Sequence, residues 1–285
     1  MFDKIKSKFS NNSNFYQWNI LFNLDTRIST SFSQFRELIP PKDRFWADPF
    51  VIFQENNYFI FFEECLFQEN IGHISFIKID MKGNCTEPKV ILKKPYHISY
   101  PFIFEFQNDF YMSTESCVNN QTDIFQCTNF PFEWKFHTTI LPKKSLVDPT
   151  LFEHNGKWWL FACKGNKDGT SKSDELLLYY SDNPFSENWK EHPMNPIITD
   201  VKKARPAGKI SRIDGKLIRP GQNCHGVYGN GFSLNEIIKL TENEYEEKQI
   251  QVFNSDWKKD CIGLHTFNYE NGCTVVDSRI KRKKN

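Results

Sequence analysis

The sequence predicts an all-β protein built as a five-bladed β-propeller. The aromatic content is 16%, with 28 Phe, 10 Tyr and 7 Trp; a hairpin-like segment recurs five times; and helical periodicity is almost absent. Aromatic side chains suit a pleated, half-buried surface. At 285 residues the chain buries roughly three quarters of its unfolded surface, enough for a sizeable core.

The recurring segments are DPFVIFQENNYFIFFEE from Asp48, YPFIFEFQNDFYMSTES from Tyr100 and DPTLFEHNGKWWLFACK from Asp148, followed by RPAGKISRIDGKLIRPGQN from Arg205 and HTFNYENGCTVVDS from His265. Each opens on a polar or aromatic residue, usually followed by Pro. An apolar run, a turn (ENN, QND, HNG, IDG, ENG) and a second run come next. Pro49, Pro101, Pro149 and Pro206 are spaced by 52, 48 and 57 residues, and His265 follows Arg205 by 60. Asn-Gly and Asp-Gly tolerate the positive φ of two-residue hairpin turns, and Pro is permitted at the first strand position. A hairpin plus about 30 further residues makes a four-stranded blade.

Outer strands are expected at HISFIKID, EPKVILKK, DIFQC, EWKFHTTIL, ELLLYYSD and EEKQIQVF, and the best helical candidate is the short NWKEHPMNP segment. The organisation is an N-terminal segment over 1–43, whose WNILFNL could close the ring, the propeller over 44–278, and a basic tail over 279–285.

With 36 Lys+Arg against 35 Asp+Glu the net charge is +1, which gives no field for a nucleic acid polymer. The opening MFDKIKSKFSNNSNF is basic without an apolar run behind it, unlike a signal peptide. No apolar window reaches transmembrane length. A cytoplasmic protein with reduced thiols is the expectation: the eight cysteines form no C-x-x-C pair and have no zinc spacing. G-x-G-x-x-G, G-x-x-x-x-G-K-[ST], D-x-D, G-x-S-x-G and H-E-x-x-H are missing, so neither cofactor nor metal is expected.

In a propeller the opening residues Asp48, Tyr100, Asp148, Arg205 and His265 converge on one channel mouth. Glu63, Glu64, Glu115, Arg219 and Gln222 end the second strands or lie close to their ends. Carboxylates, an arginine and a histidine beside Trp46, Tyr100, Trp158 and Trp159 suit a sugar, glycan or nucleotide-sugar ligand, although KWWLF also reads as core. Glycoside chemistry needs two carboxyls, and Asp48 and Asp148 share one register two blades apart. An Asp before Pro also makes an Asx-turn, so a structural role stands beside the catalytic one. Glu64 or Glu115 would supply the acid. Adjacent strand residues face opposite sides, so only one of Glu63 and Glu64 can face the channel; Glu64 is preferred. Arg205, Arg219 and His265 would hold an anionic group, with Trp46, Tyr100 and Gln222 as further substrate contacts.

FWADPF…FFEE, SYPFIFE…YMSTES, DPTLFEHNGKWWLF, ARPAG…IRPGQNC…YGNG and GLHTFN together resemble the N-terminal domain of plant glucosamine inositolphosphorylceramide transferases, over about residues 44–277. That domain also occurs alone in bacteria and joined to sugar formyltransferases. The resemblance implies a five-bladed propeller similar to arabinanase, β-xylosidase and invertase glycosidases, which place one Asp at the start of blade one and another at blade three. Their blade-four Glu acid is replaced here by Arg205-Pro206. In the plant proteins the transferase chemistry is associated with a C-terminal domain outside these 285 residues. Two functions remain open: a glycosyl-transferring or glycosidase-like enzyme of glycan biosynthesis, and a non-catalytic sugar-binding module partnering another glycan-biosynthesis enzyme.

Overall fold

A computed structural model of the protein describes residues 14–25, 28, 31–116, 119–165 and 171–284, with backbone alone at 171 and 172. Strands β1 (Asn14–Leu24) and β2 (Arg36–Leu38) come first. The first blade is β3 (Arg44–Gln54), β4 (Asn57–Leu66), β5 (Gly72–Asp80) and β6 (Lys89–Leu92), and the second is β7 (Ser99–Phe106), β8 (Asp109–Glu115), β9 (Thr122–Asn129) and β10 (Glu133–Ile140). The third holds β11 (Leu146–His154), β12 (Lys157–Gly165) and β13 (Ser171–Ser181), edged by β14 (Lys190–Glu191) and β15 (Ile198–Thr199). The fourth is β16 (Ser211–Ile213), β17 (Lys216–Asn223), β18 (Gly231–Leu240) and β19 (Tyr245–Asn254). The fifth joins β20 (Cys261–Gly263), β21 (Phe267–Glu270) and β22 (Cys273–Lys283) to β1 and β2.

The five turns form because their residues accept left-handed backbone. Glu55-Asn56, Gln107-Asn108, Asn155-Gly156, Asp214-Gly215 and Asn271-Gly272 all have positive φ at both positions. That is the twist a two-residue hairpin needs, and the pairs Gln54↔Asn57, Phe106↔Asp109, His154↔Lys157, Ile213↔Lys216 and Glu270↔Cys273 flank them.

The Asp-Pro and Tyr-Pro openings are β-bulges. In β3 the register passes from Ala47↔Glu63 to Phe50↔Phe61, leaving Asp48-Pro49 opposite one residue, and the same slip surrounds Tyr100-Pro101 and Asp148-Pro149. Asp48, Tyr100 and Asp148 have φ of 51°, 50° and 52°. Pro has no N–H for the ladder to lose, so it belongs at a bulge. A bulge re-aims the side chain it carries, and three in equivalent places set three side chains towards the channel.

β1 runs antiparallel to β22 from Asn14↔Lys283 to Leu24↔Cys273. The propeller is therefore not confined to 44–278: Asn14–Leu24 and Arg36–Leu38 supply two strands of its fifth blade. Arg279–Lys283, expected in a solvated tail, are the last part of β22. Nor is NWKEHPMNP helical; it holds β14 and a cis Asn195-Pro196 bond.

The core is five layers between neighbouring blades. Phe22 and Val51 lie in the layer between blades five and one, Phe61 and Met112 between one and two, and Phe102 and Leu160 between two and three. Phe161 and Leu217 lie between three and four, Phe232 and Phe267 between four and five. Seven of the eight cysteines lie among the described residues, all free thiols; Cys117 falls outside them.

Candidate functional site at the channel mouth

Asp48, Asp148, Arg205 and His265 meet at one end of the channel, all buried. The His265 ring lies between two carboxylates, with Nδ1 2.6 Å from Asp277 Oδ2 and Nε2 3.3 Å from Asp48 Oδ1. Asp277 also accepts the backbone amides of Asp48, His265 and Thr266, at 3.0, 3.0 and 2.9 Å. The Thr266 hydroxyl donates to Asp48 Oδ1 at 3.0 Å. Trp18 of β1 stacks on the His265 ring with centroids 4.1 Å apart, and Tyr228 meets it edge-on at 5.3 Å.

On the other side Arg205 Nε donates to Asp148 Oδ2 at 2.6 Å, and Gln222 Nε2 reaches the same oxygen at 3.0 Å. Glu115 accepts the Asp148 amide at 3.1 Å and so holds the bulge. The Arg205 guanidinium lies 5.1 Å from the Tyr228 ring centroid, a cation–π contact. Tyr228 belongs to a connection between β17 and β18 in which Gly226 and Gly229 both have positive φ. At 36% accessibility Tyr228 is the exposed member of the group.

Burial raises the Asp48 carboxyl to about 6; His265 opposes this, while Asp148 and Asp277 add to it. For His265 burial works against the charge, but Asp277 and Asp48 outweigh it and raise the ring above its ordinary value. A carboxyl raised this far, touching a histidine whose charged form is favoured, can exchange a proton with a reactant. Burial, followed by Asp48, Glu115, Asp277 and Asp148, pushes Glu63 well above the carboxylate range. Asp48, His265 and Asp277 each offer a ligand atom within 4.8 Å of the others, which makes them a possible cation site. Their oxygens already accept the amide and hydroxyl donors above.

Several expected site residues lie elsewhere. Glu64 turns into blade one, accepting Trp46 Nε1 at 3.1 Å, Arg44 Nη1 at 2.9 Å and Ser75 Oγ at 2.6 Å. Despite burial, His73, Ser75, Arg44 and Trp46 hold its carboxyl down at about 2, so it is no acid. Glu63, its neighbour, faces the channel instead. Trp46, Trp158 and Trp159 pack in the layers between blades. The Tyr100 hydroxyl pairs with Thr150 at 2.8 Å and accepts the Gly208 amide at 2.9 Å, tying blade two to blades three and four. Arg219 is saturated by Glu247, at 2.7 and 2.8 Å, and by the Lys203 carbonyl. Arg205 is likewise committed to Asp148 rather than open to an outside anion.

Asp277 escaped the sequence reading, although it ends the second run of the fifth segment much as Glu63 and Glu115 end theirs. Tyr228 had a weak signal in the glycine-rich GVYGNG. Trp18 had none, because its role depends on which strand closes the ring.

Five blades around a channel whose mouth carries buried carboxylates and a histidine define a five-bladed β-propeller with a charged site at one end of its channel. The catalytic domain of a GH62 α-L-arabinofuranosidase from Coprinopsis cinerea superimposes with a TM-score of 0.61 over 93% of this chain and 98% of its own, at 11% identity. A family 117 glycoside hydrolase of Zobellia galactanivorans gives 0.58 over 95% and 91%, also at 11%. At such identities the likeness is one of fold. The chain belongs to the family "Glucosamine inositolphosphorylceramide transferase 1, N-terminal", whose model matches residues 31–269. It is 35% identical to Glucosamine inositolphosphorylceramide transferase 1 of Oryza sativa subsp. japonica over 218 residues, which is 75% of this chain and 29% of the relative. The Arabidopsis thaliana protein of the same name matches at 35% over 209 residues, 72% and 27%. The chain thus spans less than a third of the length of these relatives.

Proposed function

We propose that the protein is a carbohydrate-active propeller of cytoplasmic glycan assembly that takes a sugar, glycan or nucleotide sugar at the channel mouth. Asp48 works there as the acid–base group with His265 and Asp277, and Asp148, neutralised by Arg205, shapes the site. The single observation carrying this reading is Asp48 itself: a strained bulge residue wedged between His265 and two further carboxylates, with its pKa near neutrality. Perturbed carboxyls gathered in this way mark functional sites, and strained backbone is tolerated where function requires it. The transferase names of the relatives and the glycosidase fold supply the sugar. Tyr228 presents an accessible ring beside Arg205 and His265 for a sugar face to pack on.

A second reading, a non-catalytic sugar module serving another glycan-biosynthesis enzyme, draws on the pairing of Asp148 with Arg205, which leaves blade four without an acid. A thermal-shift panel of nucleotide sugars, glycosides, free sugars and bare nucleotides separates the two. Ligand at a hundred times its Kd adds about 2.7 kcal/mol, seen as several degrees in Tm. In the catalytic reading a product accompanies the shift, and Asp48→Asn cuts its formation by about 10²-fold or more. A shift without product, retained in Asp48→Asn, supports the binding module. No shift with any carbohydrate sinks both.

A further inference from the structure

Five buried carboxyl groups share the channel mouth, and two cations face them. Asp148 pairs with Arg205, while Asp48 and Asp277 flank His265. Glu115 accepts an amide and adds to the charge stabilising Arg205. Glu63 stands differently. Asp48 of β3, Glu115 of β8, Asp148 of β11 and Asp277 of β22 all bear on it, and among the described residues its one close ionisable partner on the other side is His97, with Nε2 3.3 Å from Oε1. Cys65, two residues along β4, is pushed to about 12 by burial and by Glu63, so it stays a neutral thiol. Carboxylates crowded together cannot all ionise, and the one that has no cationic side chain against it among the described residues is the one to keep its proton.

The state of His97 is set by the backbone. The Gly72 amide donates to His97 Nδ1 at 3.0 Å. A ring nitrogen that accepts a hydrogen bond carries no hydrogen, so the neutral imidazole holds its hydrogen on Nε2. Burial of the ring lowers its pKa to about 4, so it is neutral at pH 7. Its Nε2–H therefore lies on the Oε1 side of Glu63, 3.3 Å away without hydrogen-bond alignment, and a donor on that side favours the acid hydrogen of Glu63 on Oε2. Position 72 admits only glycine here. A Cβ would fall 2.6 Å from Glu63 Oε1, 2.8 Å from the Ile98 carbonyl and 2.9 Å from His97 Cε1.

We infer that Glu63 is the proton donor of the channel-mouth site, and that His97, oriented by the Gly72 amide, is the positioning residue that fixes the acid hydrogen on Oε2. Resting on the sugar reading above, the step is a glycosyl transfer. The Glu63 O–H bond breaks and its proton goes to the leaving-group oxygen as the glycosidic C–O bond breaks. Ionised Asp48 takes the proton of the incoming hydroxyl as the new C–O bond forms. The Glu63 carboxylate left behind is stabilised by the His97 N–H, and exchange with solvent restores both starting states. Two carboxyls held at different pKa values are how one site runs acid and base chemistry together.

The test begins without substrate. Infrared difference spectra between wild type and Glu63→Gln at pH 7 should lose the carbonyl stretch of a protonated carboxyl; loss of carboxylate bands alone overturns the inference. Should that variant not fold, ¹⁵N NMR of the wild-type histidines decides. His97 should keep hydrogen on Nε2 and a bare Nδ1 from pH 6 to 8, and a ring protonated on Nδ1 at pH 7 overturns it. Where the wild type turns over glycosides, Glu63→Gln should cut kcat on a methyl glycoside by about 10²-fold or more, and on its p-nitrophenyl counterpart far less, since a good leaving group needs no proton. Equal losses on both refute the donor role and leave the sugar reading standing. If the wild type turns over nothing, the catalytic reading fails, and the two spectra still decide the state of Glu63 and His97.

Discussion

Asp48 and Asp148 occupy the same place in their blades, share the same backbone strain and look alike in sequence, yet their surroundings give them different roles. Asp148 compensates buried Arg205, so Asp148→Asn strands a guanidinium without its counter-charge. Removing one partner of a buried pair costs about 3–5 kcal/mol, and the melting temperature should fall by roughly 6–10 °C. Asp48→Asn instead removes a carboxylate from a crowd of like charges and should leave Tm at pH 7 nearly unchanged. The pH dependence follows from the same contrast. The folded pKa of Asp48, about 6, lies above its ordinary 3.8. Its contribution to stability is therefore complete below about pH 4 and is lost as pH rises through about 6. His265 is raised as well, so its contribution is complete below 6.5 and fades above that. Thermal melts from pH 5 to 8 should show wild type losing more stability than Asp48→Asn, and parallel curves would refute the coupling. The positions of Asp48 and Asp148 were legible in sequence because they open repeated segments. The choice between Glu63 and Glu64 was not, because alternation says that they diverge without saying which faces inward.

Hairpin turns were the most legible elements, since their chemistry is local. Asn155-Gly156 and its four counterparts need positive φ, and residues that tolerate it are visible without any fold. The bulges were not. Asp-Pro in sequence reads equally as an Asx-turn or a strand start, and only the pairing of Ala47 with Glu63 and Phe50 with Phe61 shows two residues opposing one. Two glycines separate local from tertiary demands. At Gly156, φ is +73° and nothing lies within 4 Å of an added Cβ. Gly156→Ala should then cost about 1 kcal/mol of backbone strain, read as a Tm loss of about 2 °C. At Gly208 a Cβ would meet the Phe267 carbonyl at 2.1 Å, where blade four joins blade five. Gly208→Ala should cost several times more, and equal losses at the two positions would contradict this account.

Ring closure governs the whole molecule. β1 lies between β22 and β2, and its Ile20 and Phe22 complete the layer against blade one. Its Trp18 covers His265, so the strand that closes the ring also builds the site. Deleting residues 1–25 should expose the long edge of β22, open that layer and release His265. The expected result is loss of near-ultraviolet circular dichroism and of a cooperative melt, restored if a peptide of residues 14–25 is added back. A truncated chain that melts like the full one would show that the other four interfaces suffice. The buried phenylalanines of the five layers find their explanation at this scale as well, because each wedge-shaped gap between twisted sheets takes large, flat, apolar side chains.

Blade number, hairpin positions and the convergence of Asp48, Asp148, Arg205 and His265 were contained in the chain itself, because repetition, turn chemistry and alternation are properties of short segments. The pairing of Asp148 with Arg205, the holding of His265 by Asp277 and Trp18, and the place of Glu63 beside His97 were decided only by tertiary structure. Those contacts join residues dozens to hundreds of positions apart, and their energies depend on burial and on neighbouring charge, which exist only once the ring has closed.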